Sequence, residues 1–249
     1  LSRGLGDVYK RQRFRYGNFQ RRFKGRLRCK QVDVATNKKT KEYYTIGIDG
    51  GRPFQIKDPS EYLDDHDVSP DGRYKITVQD VKLKKVFGTD FYPELKESNM
   101  MIYDQLNYRH WDQWEDGSYS HLIIEPTSGR EKSVDIMLDE PYDCPTKPFG
   151  GSEDYVWCPE SKKVFYVTKK KYGTEYAVST NTDIYEYDLE TGKTRNVTEG
   201  NLGYDTSPQF SKDARLAWLQ MKRDGYESDK NDIMICLLYT SDAADDDAC

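Results

Sequence analysis

Short runs in which apolar and polar residues alternate dominate this chain. Alternation with a period of two is typical of β-strands that bury one face, and clear examples lie at 74–78, 164–167, 183–188 and 216–219. Helical periodicity is scarce, and at most one short helix is expected, within residues 94–106. No run of 18 apolar residues occurs, so the sequence contains no candidate for a membrane-spanning helix. The pattern therefore predicts an all-β protein.

One turn motif recurs three times, each time just before a predicted strand. An apolar residue and a small residue precede a tight turn that ends in a basic residue. The copies are Val68-Ser-Pro-Asp-Gly-Arg73, Trp157-Cys-Pro-Glu-Ser-Lys162 and Phe210-Ser-Lys-Asp-Ala-Arg215. Because Pro presets φ and Asp and Gly accept the remaining turn conformations, the motif predicts a reverse turn leading into a strand.

A second motif alternates with the first along the chain. It is an alternating strand that ends in a polar turn, mostly Thr/Ser-Gly-Lys/Arg, and its copies lie at 32–38, 121–130 and 183–193. Two hairpins repeated in this way form the four-stranded antiparallel blade of a β-propeller. About three blades fit in the chain, whereas a closed propeller has about four to eight. We therefore expect a partial β-propeller.

The spacing of the first motif reveals an insert. Ser69 and Cys158 are 89 positions apart, whereas Cys158 and Ser211 are 53 apart. The surplus falls largely between Gln79 and Trp114, inside one blade. A loop this long is unusual unless it is functional or disordered, and disordered segments are poor in aromatic residues. The segment is rich in them, so a long, ordered, aromatic-rich insert is expected.

The composition agrees with thin β-layers and a polar surface. Hydrophobic residues make up 36% of the chain, yet aromatic residues reach 13% with 20 Tyr, and the net charge is −5. Residues 1–12 and 237–249 fit no periodic pattern and resemble translated sequencing adapters, so we expect them to be artefactual or disordered. The propeller domain is accordingly predicted over residues 13–236.

Several segments resemble the prolyl oligopeptidase family of serine peptidases, in particular its dipeptidyl peptidase V-like and acylaminoacyl-peptidase-like members. The most specific are Tyr108-Arg-His-Trp-Asp-Gln-Trp-Glu-Asp-Gly117 and Lys222-Arg-Asp-Gly-Tyr-Glu-Ser-Asp229. Supporting segments lie at 148–154, 179–184 and 203–208. The Ser-Pro-Asp-Gly turn is less specific, because TolB-like propellers share it. The similarity extends over about residues 49–235.

The resemblance implies an N-terminal TolB-like propeller that gates access to a C-terminal α/β-hydrolase domain, which cleaves short peptides. This sequence has no Gly-x-Ser-x-Gly motif, so no catalytic residue is assigned and whether the chain itself is an enzyme stays open. The expected partners are the missing hydrolase domain and a short peptide, with no cofactor. The resemblance favours the periplasm or envelope of a bacterium. A non-catalytic, TolB-like scaffold is the alternative.

Two segments supply candidates for substrate binding or for a domain interface. Charged side chains there could hold a peptide terminus, and Trp could stack on substrate side chains. The alternative is structural, with two Trp residues packed in the core and Arg paired with Asp, and with only a hairpin that buries its Tyr around 223–227. The candidates are Arg109, His110, Trp111, Asp112, Trp114, Glu115, Arg223 and Glu227, with Asp116 a further acidic candidate by type alone.

Other chemistries find little support in the sequence. Residues 13–30 are basic and interleaved with aromatics, but a solvated strand face explains them better than nucleic-acid binding does. The five cysteines show no C-x-x-C pattern and no clustering with His, which argues against a metal site. Cys144 and Cys158 are equally compatible with a disulfide and with buried thiols.

Overall fold

The computed structural model describes residues 26–32, 39–47, 50–56 and 66–236, except for 111, 130 and 212. The chain divides into two compact units, Leu1–Asp65 and His66–Cys249. In the first unit, β1 (Arg26–Val32), β2 (Lys39–Gly47) and β3 (Gly50–Ile56) form a three-stranded antiparallel sheet in sequence order. The predicted terminal artefacts, the turn at 33–38 and most of the basic segment 13–30 lie outside the described residues.

The second unit contains three larger antiparallel sheets, each a meander in sequence order. The first sheet consists of β4 (Tyr74–Lys82), β7 (Ser118–Pro126) and β8 (Val134–Asp135). The second consists of β9 (Tyr155–Trp157), β10 (Lys163–Thr168), β11 (Asp183–Asp188) and β12 (Lys193–Asn196). The third consists of β13 (Asp205–Phe210), β14 (Leu216–Gln220) and β15 (Asp232–Cys236).

The second sheet lies between the other two, and β10 shows this most clearly. Val164 and Tyr166 point to one side and pack with Ile76 and Leu122 of the first sheet. Phe165 and Val167 point to the other side, where the cluster includes Leu216 and Trp218 of the third sheet. Because successive side chains of a strand face opposite sides, a strand buried on both faces is apolar throughout. Sheets stacked in sequence order in this way are the blades of a propeller.

The three turn copies adopt the same backbone conformation. Their fifth residues, Gly72, Ser161 and Ala214, have φ values of 73°, 60° and 59°, in the left-handed region. The first two copies also contact each other, because the Asp71 amide donates to the Ser161 hydroxyl at 3.0 Å. The predicted all-β class, the antiparallel blades and the strand positions after the turns are therefore confirmed.

Strand count and helix position differ from the sequence-based expectation. Only the second sheet has four described strands, because the first strand of the first sheet shrinks to a single bridge between Val68 and Lys75. The short helix expected within 94–106 is not there. Instead, α1 spans Gly88–Phe91, where the Asp90 carboxylate accepts the Val86 and Phe87 amides. A second helix, α2, spans Thr174–Val178, and a 3-10 turn spans Ser152–Asp154.

The structure decides between a disulfide and buried thiols for Cys144 and Cys158. Cys144 and Cys158 are free, fully buried thiols. Burial raises the pKa of the Cys144 thiol well above its ordinary value, so it is neutral and unreactive. The Cys158 sulfur accepts the Lys163 amide, which places it within the second copy of the turn motif.

Candidate functional site

Five connections of the second unit meet at one end of the stacked sheets, and we call this end the loop face. Three of them join the second and third strands of a meander: loop A (83–117), loop B (169–182) and loop C (221–231). The other two are the segments 136–154 and 197–204. Backbone and side-chain contacts join the segment 136–154 to this end, since the Cys144 amide donates to the Ser120 carbonyl and the Thr168 hydroxyl donates to the Asp143 carbonyl.

The loop face carries most of the exposed apolar side chains of the second unit. Outside the three sheets, every described exposed large apolar side chain lies on it. The described turns at the opposite end contain no exposed large apolar side chain. These turns are 69–73, 127–129, 131–133, 158–162, 189–192, 211 and 213–215. A concentrated apolar surface of this kind marks a binding or docking surface. Its members are Phe87, Phe91, Tyr92, Leu95, Met100, Leu106, Tyr108, Trp114, Leu138, Phe149, Tyr172, Val178, Leu202 and Tyr226.

Loop A contains the aromatic-rich insert and the hairpin of the most specific motif. Strands β5 (Arg109–His110) and β6 (Gln113–Trp114) pair antiparallel, so Arg109 lies opposite Trp114. The Arg109 guanidinium lies 5.4 Å from the centroid of the Trp114 ring. Tyr103 and Tyr108 stack on the same indole at 6.2 and 6.1 Å. These four residues, Tyr103, Tyr108, Arg109 and Trp114, form what we call the aromatic cluster.

The aromatic cluster is on the surface, which corrects part of the structural alternative. Trp114 is 52% exposed and is not a core residue. Arg109 is engaged with the indole of Trp114, and Asp112 is exposed at the tip of the hairpin. His110 is half-buried and pairs with Gln113. Trp111 lies outside the described residues.

Glu115 lies among charged residues of the loop face. Its backbone fixes the hairpin, because its carbonyl accepts the Tyr103 hydroxyl at 2.7 Å and its amide donates to the Tyr108 carbonyl at 3.0 Å. Burial raises the pKa of the Glu115 carboxyl; Lys147 opposes this, and the negative charges of Asp143 and Asp116 add to it. A carboxyl held in this way binds an incoming cation favourably, because the cation compensates for the surrounding negative charge.

Lys147 and Asp143 complete this polar group. Their ammonium and carboxylate are 2.9 Å apart, and the same Asp143 oxygen accepts the Ser120 amide. Burial opposes the charge of Lys147, but the neighbouring carboxylates, first of all Asp143, raise its pKa above the ordinary value. Asp116 is exposed, and its carboxylate accepts the Ser118 amide. The sequence interpretation missed Asp143 and Lys147, although Lys147 directly precedes the quoted segment 148–154.

Loop C contains the candidates Arg223 and Glu227, of which Arg223 is paired within the loop. Arg223 forms a two-point ion pair with Asp229 at 2.9 and 3.0 Å and lies 4.1 Å from the Tyr226 ring centroid. Tyr226 is exposed, so the alternative of a buried Tyr here is wrong. Glu227 is exposed, and its charge acts on Lys169 of loop B. Burial lowers the pKa of the Lys169 ammonium, and the charges of Asp224 and Glu227 oppose that effect.

The three loops are joined side by side. Loop A contacts loop B through Tyr172, whose hydroxyl accepts the Gln105 amide and whose ring lies 5.6 Å from the Lys84 ammonium. Loop C contacts loop B through Asp224, which accepts the Ser179 hydroxyl and the Thr180 amide, each at 2.7 Å. Asp224 was not among the sequence candidates, although it lies inside a quoted motif. The structure thus brings the two candidate segments to one surface, connected through loop B.

Other quoted segments have structural roles beneath this surface. Asp205, in the segment 203–208, is fully buried and accepts the Trp218 indole N–H at 2.8 Å and the Gln220 amide at 3.0 Å. A side chain at Gly203 would overlap the Met221 carbonyl oxygen, so only glycine fits there. In the segment 148–154, buried Asp154 accepts the Thr146 amide and hydroxyl. These residues position segments of the loop face through internal contacts.

Neither a metal site nor a membrane span is evident in the described part of the chain. No group of three His, Cys, Asp or Glu side chains there is arranged to hold an ion. None of the described helices has the length and apolar character that crossing a membrane requires.

Comparison with known proteins gives a consistent result. No family model matches the chain. It is 34% identical over 254 residues to dipeptidyl-peptidase 5 of Porphyromonas gingivalis, covering 84% of this chain and 37% of that protein. It is 39% identical over 163 residues to dipeptidyl-peptidase 5 of Porphyromonas endodontalis, covering 65% of this chain and 23% of that protein. The chain therefore spans well under half the length of these curated relatives.

Among solved structures, a putative TolB from Agrobacterium tumefaciens aligns with a TM-score of 0.34 and 16% identity, covering 78% of this chain and 50% of that one. The sequence relatives carry the conclusion, because their identity extends over most of this chain. The resemblance inferred from the motifs is confirmed: the chain is a relative of dipeptidyl-peptidase 5 and matches part of that protein's length.

Proposed function

We propose that this chain is the propeller portion of a serine peptidase of the prolyl oligopeptidase family, which removes dipeptides or acylaminoacyl units from short peptides. The chain contains no Gly-x-Ser-x-Gly motif, so the nucleophile and its base belong to a separate α/β-hydrolase domain. The propeller contributes gating: it admits short peptides and excludes folded proteins. One observation carries the proposal, namely that both specific motifs converge on an apolar loop face.

The loop face has the properties that such a role requires. Its exposed aromatic side chains would be covered by a catalytic domain, which is the usual fate of large apolar patches. Beside them, the half-buried carboxyl of Glu115 and the exposed ammonium of Lys147 interact electrostatically. Opposite charges in such a setting can orient the two polar ends of a short peptide by charge-assisted hydrogen bonds. The aromatic cluster offers an apolar surface for its side chains.

The catalytic part of the proposal is tested on the complete polypeptide to which this chain belongs. We expect it to hydrolyse dipeptidyl and acylaminoacyl coumarin amides and to lose that activity after treatment with a fluorophosphonate, which phosphonylates reactive serines and releases fluoride. Folded proteins should not be cleaved. A polypeptide that neither reacts with the fluorophosphonate nor cleaves these amides would contradict the peptidase proposal and leave the non-catalytic scaffold.

The role of the loop face is tested with variants of the same polypeptide. Trp114→Ala and Glu115→Gln should raise KM or lower kcat/KM for peptide substrates by about tenfold, the usual effect of losing one directed contact. The matched control is Glu190→Gln, in the turn 189–192 at the opposite end of the sheets, where kinetics should not change. Equal kinetics for all three variants would show that substrate does not contact the loop face.

A further inference from the structure

Tyr166 places a hydroxyl group within the apolar run Val164–Val167 of β10. Its side chain is fully buried, and no described group contacts the hydroxyl oxygen in hydrogen-bond geometry. A buried hydroxyl without a partner costs free energy, whereas Phe would fill the same space without that cost. Buried polar groups in proteins have a partner, which is either another residue or an ordered water molecule. The Tyr166 hydroxyl therefore indicates a binding position at the end of its side chain.

Glu140 contributes a second buried oxygen of the same kind. Its Oε2 is shielded from solvent and has no hydrogen-bond partner among the described residues, whereas its Oε1 accepts the Lys170 ammonium at 2.6 Å. The Lys170 ammonium also lies 4.1 Å from the Tyr185 ring centroid, and that ring lies 5.8 Å from the Tyr166 ring. These contacts bring the Glu140 carboxylate and the Tyr166 ring next to the same Tyr185 ring.

The electrostatics of Tyr166 agree with this proximity. Burial, and after it the negative charge of Glu140, raise the pKa of the Tyr166 hydroxyl above its ordinary value, so the hydroxyl keeps its hydrogen. The Thr194 hydroxyl of β12 lies close enough to oppose this shift of the pKa, but the two hydroxyls do not meet in hydrogen-bond geometry. The Tyr166 oxygen is thus near two polar side chains and bonded to neither.

The charges of these groups decide which kind of ligand fits between them. Glu140 is already paired with Lys170, and the side chains of Tyr166 and Thr194 are neutral, so the site carries no net charge. A bound cation or anion would be buried there without a counter-charge, which is costly. The ligand must therefore be small and neutral, accept the Tyr166 hydrogen and donate to a carboxylate. Water meets all of these requirements.

We propose that a single buried water molecule bridges the Tyr166 hydroxyl and the Glu140 carboxylate. It accepts the Tyr166 hydrogen and donates its own two hydrogens to Glu140 Oε2 and to the Thr194 hydroxyl oxygen. Three hydrogen bonds are the usual number for a buried water. Because Glu140 belongs to the segment 136–154, this water connects the loop face to the centre of the second sheet. The site is independent of the proposed peptidase function.

The first test is a crystal structure of the whole chain at a resolution that shows ordered water. We expect a water peak within about 2.5–3.0 Å of both Tyr166 Oη and Glu140 Oε2. A direct hydrogen bond from Tyr166 to Glu140 or to Thr194 would overturn the proposal. The same holds if no peak lies between the Tyr166 and Glu140 oxygens.

The second test compares two variants by hydrogen exchange. In Tyr166→Phe the water should be lost, and exchange of the Glu140 and Tyr142 amides, which bond within the segment 136–154, should rise about fivefold, as expected for one net hydrogen bond. Tyr185→Phe is the matched control, because it removes a hydroxyl that contacts Asp183 from the same cluster and leaves the water site intact. Equal exchange of these amides in both variants would contradict the proposal. If Tyr166→Phe does not fold, the crystal structure of the unaltered chain decides alone.

Discussion

Asp224 accepts the hydroxyl hydrogen of Ser179 at 2.7 Å, although the two residues are 45 positions apart. The same carboxylate oxygen accepts the Thr180 amide, and the Thr180 hydroxyl accepts the Gly225 amide in return. Burial would raise the pKa of Asp224, but these hydrogen bonds from loop B outweigh it and lower the pKa. This reciprocal contact is the connection between loop B and loop C.

Asp224→Ala should therefore disconnect the two loops without unfolding the sheets. The Ser179 and Thr180 donors are buried and would lose their acceptor, at a cost of about 1–3 kcal/mol. Hydrogen exchange should increase in residues 169–182 and 221–231 and stay unchanged in β4 and β7. Asp229→Ala is the control, since Asp229 pairs with Arg223 inside loop C only. Equal hydrogen-exchange rates of loops B and C in Asp224→Ala and Asp229→Ala would show that Asp224 does not connect the two loops.

Asp205→Ala should lower the free energy of unfolding far more than a surface change does. It removes the acceptor of the Trp218 indole and of the Gln220 amide at a fully buried position, and one of the three acceptors of the Asn201 amide. Each buried, unpaired donor costs about 1–3 kcal/mol, so a total loss of about 3 kcal/mol is expected. Urea unfolding followed by tryptophan fluorescence measures it. A loss below about 1 kcal/mol would show that the donors find other partners.

Glu186 should make the stability depend on pH in the acid range. It bridges Lys163 at 2.7 Å and Arg195 at 2.8 Å across three neighbouring strands. Burial would raise the pKa of Glu186, but the hydrogen bonds from Arg195 and Lys163 outweigh it and lower the pKa. A lowered pKa means that the stabilisation is present above the unfolded value of about 4.3 and is lost as the pH falls through the folded value.

Glu186→Gln should consequently destabilise the chain by about 1–3 kcal/mol at pH 7. The difference from the unaltered chain should shrink as the pH falls from the unfolded value through the lowered folded value, where the carboxyl of the unaltered chain becomes protonated. Glu190→Gln, which breaks an ion pair between two exposed side chains, should change little at any pH. Urea unfolding at pH 7, 5 and 3.5 tests this, and a pH-independent difference would be inconsistent with the argument.

Gly203→Ala should be strongly destabilising for a steric reason. The added methyl group would overlap the Met221 carbonyl oxygen, and the nearby Met221 amide donates to the Tyr204 carbonyl. The start of β13 and loop C would be forced apart, at a cost of about 2 kcal/mol. Gly129→Ala is the comparison, because its site is open and only its positive φ opposes the substitution, by about 1 kcal/mol. The reverse order of thermal stabilities would disprove this explanation.

Ile233 and Ile235 lie on the exposed face of β15 and should limit solubility. They are 74% and 61% exposed, and among the described strands only β14 pairs with β15. An apolar strand at a sheet edge promotes self-association. Ile233→Lys and Ile235→Lys should reduce aggregation, measured by light scattering, with little change in unfolding. Unchanged aggregation would show that another surface is responsible.

Much of the fold could be predicted from the sequence because its local signals agree. The turn motif has strong conformational preferences, and each copy precedes a strand. The apolar run Val164 to Val167 after the second copy is buried throughout, and Leu216 and Trp218 after the third copy are buried in alternation. The position of α1 was not predictable in the same way, because Gly88–Phe91 depends on the capping side chain of Asp90 more than on a periodic pattern.

The candidate site was only partly predictable, for a different reason. The residue types of the two motifs pointed to a shared surface. The sequence did not show, however, which charged side chains pair with a partner inside their own loop. Arg223 attracted attention by its charge and is engaged by Asp229. Asp224, beside it, makes the long-range contact. Such pairings depend on how loops meet in space, which spacing along the chain does not encode.

The difference between the two ends of the stacked sheets has a practical consequence. The second unit has exposed aromatic side chains at the loop face and no exposed large apolar side chain in the described turns at its other end, so the loop face should contribute most to its adsorption on hydrophobic supports. On phenyl resin or at an air–water interface, the turns around Gly72, Ser161 and Ala214 should point to the solvent. Affinity tags or fluorophores are therefore best attached there, where they remain accessible however the opposite end is occupied.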